Sequence, residues 1–143
     1  MSRRSDILNE FTTHLRSAQY VDAPLPSNGV QRGMKFLDQI NDFPYICYHV
    51  DSSDLVHIGA GERYYNMSIN IRGYVQGEDS QSLADQLALD IEDAADSFRD
   101  AATSTLLIAD SRILSVSTDE GLMEPHGIVD MSIEVSYQQD VNI

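Results

Sequence analysis

Hydrophobic positions along the chain follow two rhythms, one helical and one alternating. Ile7, Phe11, Leu15 and Ala18 recur at steps of four, four and three residues, which predicts one apolar helical face over about Asp6–Tyr20. Ser5 or Asp6 is suited to cap that helix, because either side chain can accept from a free first-turn N–H. A longer helix is predicted from about Ser80 to Phe98 or beyond. Its stripe is Leu83, Leu87, Ile91, Ala94, Ala95 and Phe98, while Asp85, Asp90, Glu92, Asp93, Asp96 and Asp100 take most of the rest. Gly77 ends the strand before it, and Asp79 or Ser80 supplies the cap.

Four segments alternate with a period of two. In Tyr45–Val50, Ile46, Tyr48 and Val50 oppose Tyr45, Cys47 and His49. In Tyr64–Val75, Tyr65, Met67, Ile69, Ile71 and Val75 share one face, and Asn66, Ser68, Asn70 and Arg72 the other. Arg112–Thr118 is a third strand. Gly127–Tyr137 is a fourth, with Val129, Met131, Ile133, Val135 and Tyr137 set against Asp130, Ser132, Glu134 and Ser136. The stretches Asp51–Glu62 and Thr118–Gly127 have the Asp, Ser, Gly and Pro content of hairpin connections. Residues 22–43 form a long connection with Pro24, Pro26, Gly29 and Gly33, in which Phe36, Leu37 and Ile40 fit a short helical turn. Pro44 then forces Phe43 to be extended.

The order is helix, two strands, helix, two strands. One-sided strands and one-sided helices pack most simply as an α+β domain: a mainly antiparallel sheet of about four strands with both helices on its apolar face. A single domain over residues 1–143 is expected, ending in a short polar tail at 138–143. The chain carries no internal repeat.

Charge narrows the function. Nine Lys and Arg face 23 Asp and Glu, a net of −14 and a pI near 4.3. Such a surface repels phosphate and argues against a domain that grips DNA or RNA. The excess is local: the first 72 residues net −1, whereas residues 73–143 hold only Arg99 and Arg112 against 15 carboxylates. The longest apolar run, Leu106–Ala109, is far short of the roughly 20 residues of a helical span, so no membrane partner is expected. Arg3 and Arg4 precede no apolar stretch, which does not read as a signal peptide. The single cysteine, Cys47, fits a reducing compartment and a buried strand position better than a nucleophile.

Catalytic patterns are missing. There is no G-x-S-x-G elbow and no H-E-x-x-H, and His14, His49, His57 and His126 show no ligand spacing. His49 reads as a strand residue, and His57 and His126 as loop residues. Asp93, Asp96 and Asp100 lie on neighbouring helical turns without a His or Glu partner motif. Asp51–Glu62 has carboxylates at the ends of a calcium-loop length but Leu55 and Val56 where an oxygen and a glycine are needed. No cofactor or metal is expected.

The ordered set of segments resembles bacteriophage tail terminator (tail completion) proteins. RGMKFLDQINDFPYICYHV is similar to the segment leading into their first strand, with its Phe43-Pro44 pair. MSINIRGYVQGED, closing on Arg72-Gly73-Tyr74, the helix DQLALDIEDAADSF and the final strand GIVDMSIEVSYQ also match. The resemblance covers about residues 5–140. It implies a non-enzymatic virion protein of the tail–neck region, assembled in the host cytoplasm. Such a protein forms a generally hexameric ring that caps the tail tube, meets neck or head-completion proteins, and in contractile tails meets the sheath terminus. DNA passes through it without specific binding. On that resemblance the assembly-interface candidates are Arg32, Lys35, Asp51, Asp54, His57, Glu62, Arg72, Glu120, Glu124 and His126, and the channel-lining candidates are Asp130 and Glu134. The alternatives are another neck-ring or head-completion protein, a small acidic inhibitor that mimics DNA, and, more distantly, an enzyme.

Overall fold

The structure is a computed structural model that describes residues 3–21, 25–26, 29–59, 61–103 and 106–140. Two helices, α1 (Arg3–Ser17) and α2 (Ser80–Ala101), pack on one face of a five-stranded sheet. The strands are β1 (Val30–Arg32), β2 (Tyr45–Gly59), β3 (Glu62–Gln76), β4 (Ile108–Thr118) and β5 (His126–Asp140), in the order β1-β2-β3-β5-β4. β1 pairs with β2 in parallel and every other pair is antiparallel, so the sheet is mixed.

The predicted α+β class and helix–sheet layering hold. The strand count was one short, because three-residue β1 is too brief to alternate. It is held by its surroundings: Ile46 N donates to Gly29 O, Gly33 N to Tyr48 O, and Arg16 Nη2 to Val30 O.

Helix α1 buries Ile7, Leu8, Phe11 and Leu15. It starts at Arg3, so Ser5 and Asp6 lie inside its first turn rather than at the cap, where Asp6 still suits the helix dipole. Asp79 does cap α2, accepting from Ser82 N. One predicted solvent-face residue of α2 is buried: Asp90 accepts from Val21 N at 3.1 Å and Gln86 Nε2 at 3.0 Å. The main core joins these helices to Met67, Ile69 and Ile71 of β3 and to alternate residues Val129–Tyr137 of β5.

The largest departure concerns the expected loop Asp51–Glu62, of which Asp51–Gly59 is strand and Glu62 opens β3. β2 and β3 continue as a long two-stranded arm, pairing Leu55 with Tyr65 and Gly59 with Glu62. His57 therefore lies in a strand, and His126 opens β5. Residues 138–140, expected in a tail, pair with Tyr64, Arg63 and Glu62, while 141–143 lie outside the described residues, as do Asp22 and Pro24 of the long connection.

The other sheet face is not uniformly polar either. At the end where β2 begins, Ile40, Tyr45, Cys47 and Tyr74 form a second small core, closed by Met34, Leu37, Phe43 and Ile128. The connection after β1 is thus a cover over one end of that face.

Candidate functional site

Beyond this cover, the helix-free face is a lattice of small polar side chains. Cross-strand neighbours run His49–Asn70–Ser132–Ser115, then Ser52–Ser68–Glu134–Arg112, then Asp54–Asn66–Ser136–Asp110. The row nearest the cover is Cys47–Arg72–Asp130–Ser117. Period-two alternation places all of these on one side.

Two carboxylates on this face are paired with arginine. Arg72 Nε donates to Asp130 Oδ1 at 2.9 Å, and that bond raises the guanidinium pKa further. Arg112 Nη2 donates to Glu134 Oε1 at 2.7 Å, and His49 Nε2 lies 2.6 Å from Asp51 Oδ1. Asp130 and Glu134 therefore do not present bare negative charge. Arg112 is not among the sequence candidates, although it is one of two cations in an acidic half and sits in the polar phase of a strand.

The ten interface candidates do not form one cluster. Asp54, His57 and Glu62 belong to the β2–β3 arm, where Glu62 accepts from the Tyr64 hydroxyl and the His57 ring lies against Tyr64. At the opposite end, the His126 ring meets Phe43, Glu120 accepts from Gln81 Nε2, and Glu124 precedes Pro125 in the β4–β5 turn. Lys35 Nζ lies 5.6 Å from the Tyr45 ring centroid, while its carbonyl accepts from Tyr74. Arg32 is exposed at the end of β1, and Asp51 and Arg72 sit between the two ends.

Nothing here assembles a reaction. No group of three or more metal-ligating side chains occurs among the described residues. A small cleft of about 80 Å³ is lined by Tyr20, Phe43, Pro44, Val75, Gln76, Leu83, Leu87 and Asp90, with no nucleophile beside a base. Burial pushes the Cys47 thiol up, which keeps it protonated and inert. No described helix is long and apolar enough to cross a membrane.

Two unlike ends and a polar sheet face suit a part of an assembly. The family described as Bacteriophage Tail Tube Terminator Protein matches residues 1–143, the whole chain. The chain belongs to that family. The chain is also 28% identical, over 119 residues, to tail tube terminator protein p142 of Escherichia phage T5, covering 76% of this chain and 74% of that protein. A solved structure of 16% identity spans 97% of this chain and 96% of its own at a TM-score of 0.39. Family membership makes the terminator a structural component of the phage tail.

Proposed function

We propose that the terminator caps the tail tube as a ring, most simply a hexamer. In that role it stops tube polymerisation and offers its far side to the neck or head-completion proteins. The observation that carries this reading is the whole-chain family match. The two ends of the sheet support it, because they differ in chemistry and so suit two different neighbours. One end carries Glu78, Asp79, Asp119, Glu120 and Glu124 around the β4–β5 turn; the other is the β2–β3 arm with Leu55, Ile58, His57 and Arg63.

Asp130 and Glu134, with the Ser and Asn rows around them, line the channel in this proposal. Their arginine partners change what the lining does. Arg72 and Arg112 are each tied to a carboxylate, so they offer phosphate little attraction, and the carboxylates add only mild repulsion. DNA then passes a polar wall on which Asp130 and Glu134 are largely neutralised by Arg72 and Arg112.

Negative-stain imaging of the protein with purified tail tubes tests the function directly. Tubes of fixed length bearing an extra terminal ring are expected. Tubes that keep growing in its presence would sink the capping role. A cryo-EM map of the cap with Asp130 and Glu134 facing outward would sink the channel assignment alone.

A further inference from the structure

Among the described residues the sheet has two long unpaired edges, and they match. β1 covers only Ile46–Tyr48 of β2, which leaves His49–Gly59 with free backbone donors and acceptors along its outer side. β4 pairs with β5 on one side and is open along all 11 residues on the other. Soluble proteins usually protect such edges with Lys, Pro, β-bulges or a covering segment, and of these both edges here carry bulges. Neither stretch contains Lys or Pro, and Arg112 is turned onto Glu134.

Five of the eleven exposed large apolar side chains among the described residues lie on these two edges. Leu55, Val56 and Ile58 are 49%, 60% and 62% exposed on the first, and Leu114 and Val116 are 50% and 36% exposed on the second. The edges also carry far fewer carboxylates than α2 does. His49–Gly59 holds two and β4 one, whereas α2 holds six.

Shape agrees with chemistry. Each edge strand bulges twice: β2 at Asp51 and Val56, β4 at Ala109 and Leu114. Leu114 and Asp51 flank the same sheet row, Ile69–Ile133, from opposite sides, and Ala109 and Val56 do the same for Tyr65–Tyr137. The two edges therefore bend at corresponding heights, and bulges supply the curvature a closed sheet needs. Direction also fits: β2, β3, β5 and β4 alternate up and down, so β4 of one copy runs antiparallel to β2 of the next without breaking the pattern.

The geometry points to a second copy of this chain as the occupant of each edge. β4 of one subunit adds to the free half of β2 in its neighbour, a head-to-tail contact that closes into a ring when repeated. This rests on the ring proposed above and names the joint that builds it.

Two double variants test it, Val56→Lys with Ile58→Lys on β2, and Leu114→Lys with Val116→Lys on β4. All four side chains are exposed, so each variant should keep the wild-type melting temperature within a few degrees. Mass photometry is run on the protein alone and on material released from capped tubes. Each variant alone should be monomeric, with association weakened roughly tenfold or more. Mixing the two variants should give dimers and nothing larger, since each retains the edge the other lacks. Hydrogen exchange on the unmodified protein provides a check free of substitutions: within 51–59 and 108–118, the outward-facing amides not bonded to β3 or β5 should be protected in the ring and fast in the subunit. Rings formed by either variant, or exchange at these edges unchanged by assembly, would overturn the joint while leaving the ring intact. Wild type that forms no ring, alone or on tubes, would overturn the ring itself.

Discussion

Gly127 sits where the sheet and helix α2 come closest. A Cβ there would lie 2.7 Å from Val75 Cγ2 and 2.8 Å from the carbonyl oxygen of Ser80. Val75 can shift, but the Ser80 carbonyl belongs to the first turn of α2 and cannot without moving the helix. Gly127→Ala should therefore cost about 1–3 kcal/mol, a fall of roughly 3–10 °C in Tm by scanning calorimetry. Three tyrosines make a second residue-level statement. Burial raises the pKa of Tyr20, Tyr48 and Tyr74, so each folded phenol holds its proton to higher pH than in the unfolded chain. Below about pH 10 both states are protonated and stability does not depend on them. Above it the unfolded chain releases protons first, so stability falls as pH rises toward the folded values. Tm measured from about pH 8 to 11 should drop steeply past 10. Tyr48→Phe should lower Tm slightly at neutral pH, by losing its bond to the Leu8 carbonyl, and should shrink the alkaline drop.

Elements depend on a few anchors, and α1 depends on Phe11. Its ring is fully buried and meets Tyr48 edge-on at 5.4 Å and Phe98 at 5.0 Å, joining α1 to β2 and α2. Phe11→Ala should remove about 3–5 kcal/mol in urea unfolding and loosen α1 first, seen as faster exchange over residues 7–15. That anchor was legible in the sequence because Ile7, Phe11 and Leu15 share a helical face. So was most of the sheet, since β3 and β5 alternate without a fault. The free arm of β2 was not. DSSDLVHIG has turn-like composition and two bulges, which break period two, and it is strand because β3 beside it alternates strongly enough to pair with it. β1 and the small core over Cys47 escaped for a related reason. Each exists through distant partners, Val30 through Ile46 and Ile40 through Tyr74, which no local pattern encodes. Among the functional candidates, strand phase puts Asp130 and Glu134 on the polar face, but their pairing with Arg72 and Arg112 needs the cross-strand register.

At the scale of the molecule, the −14 charge is a force acting on assembly. Its bulk lies on α2 and the β4–β5 turn, away from the two open edges. Copies brought together edge to edge would join through backbone bonds and apolar side chains, while their acidic surfaces repel one another through solvent. Repulsion between exposed charges is screened by salt, over about 10 Å at 0.1 M ionic strength, whereas strand pairing is nearly indifferent to it. Ring formation should therefore strengthen with ionic strength. Between roughly 0.02 and 0.5 M salt, the concentration giving half assembly should fall about tenfold in light scattering or mass photometry. A joint built on ion pairs would respond in the opposite sense and dissolve as salt rises. The sign of that one dependence separates an edge held by strand addition from an interface held by charge, and it needs no variant of the protein.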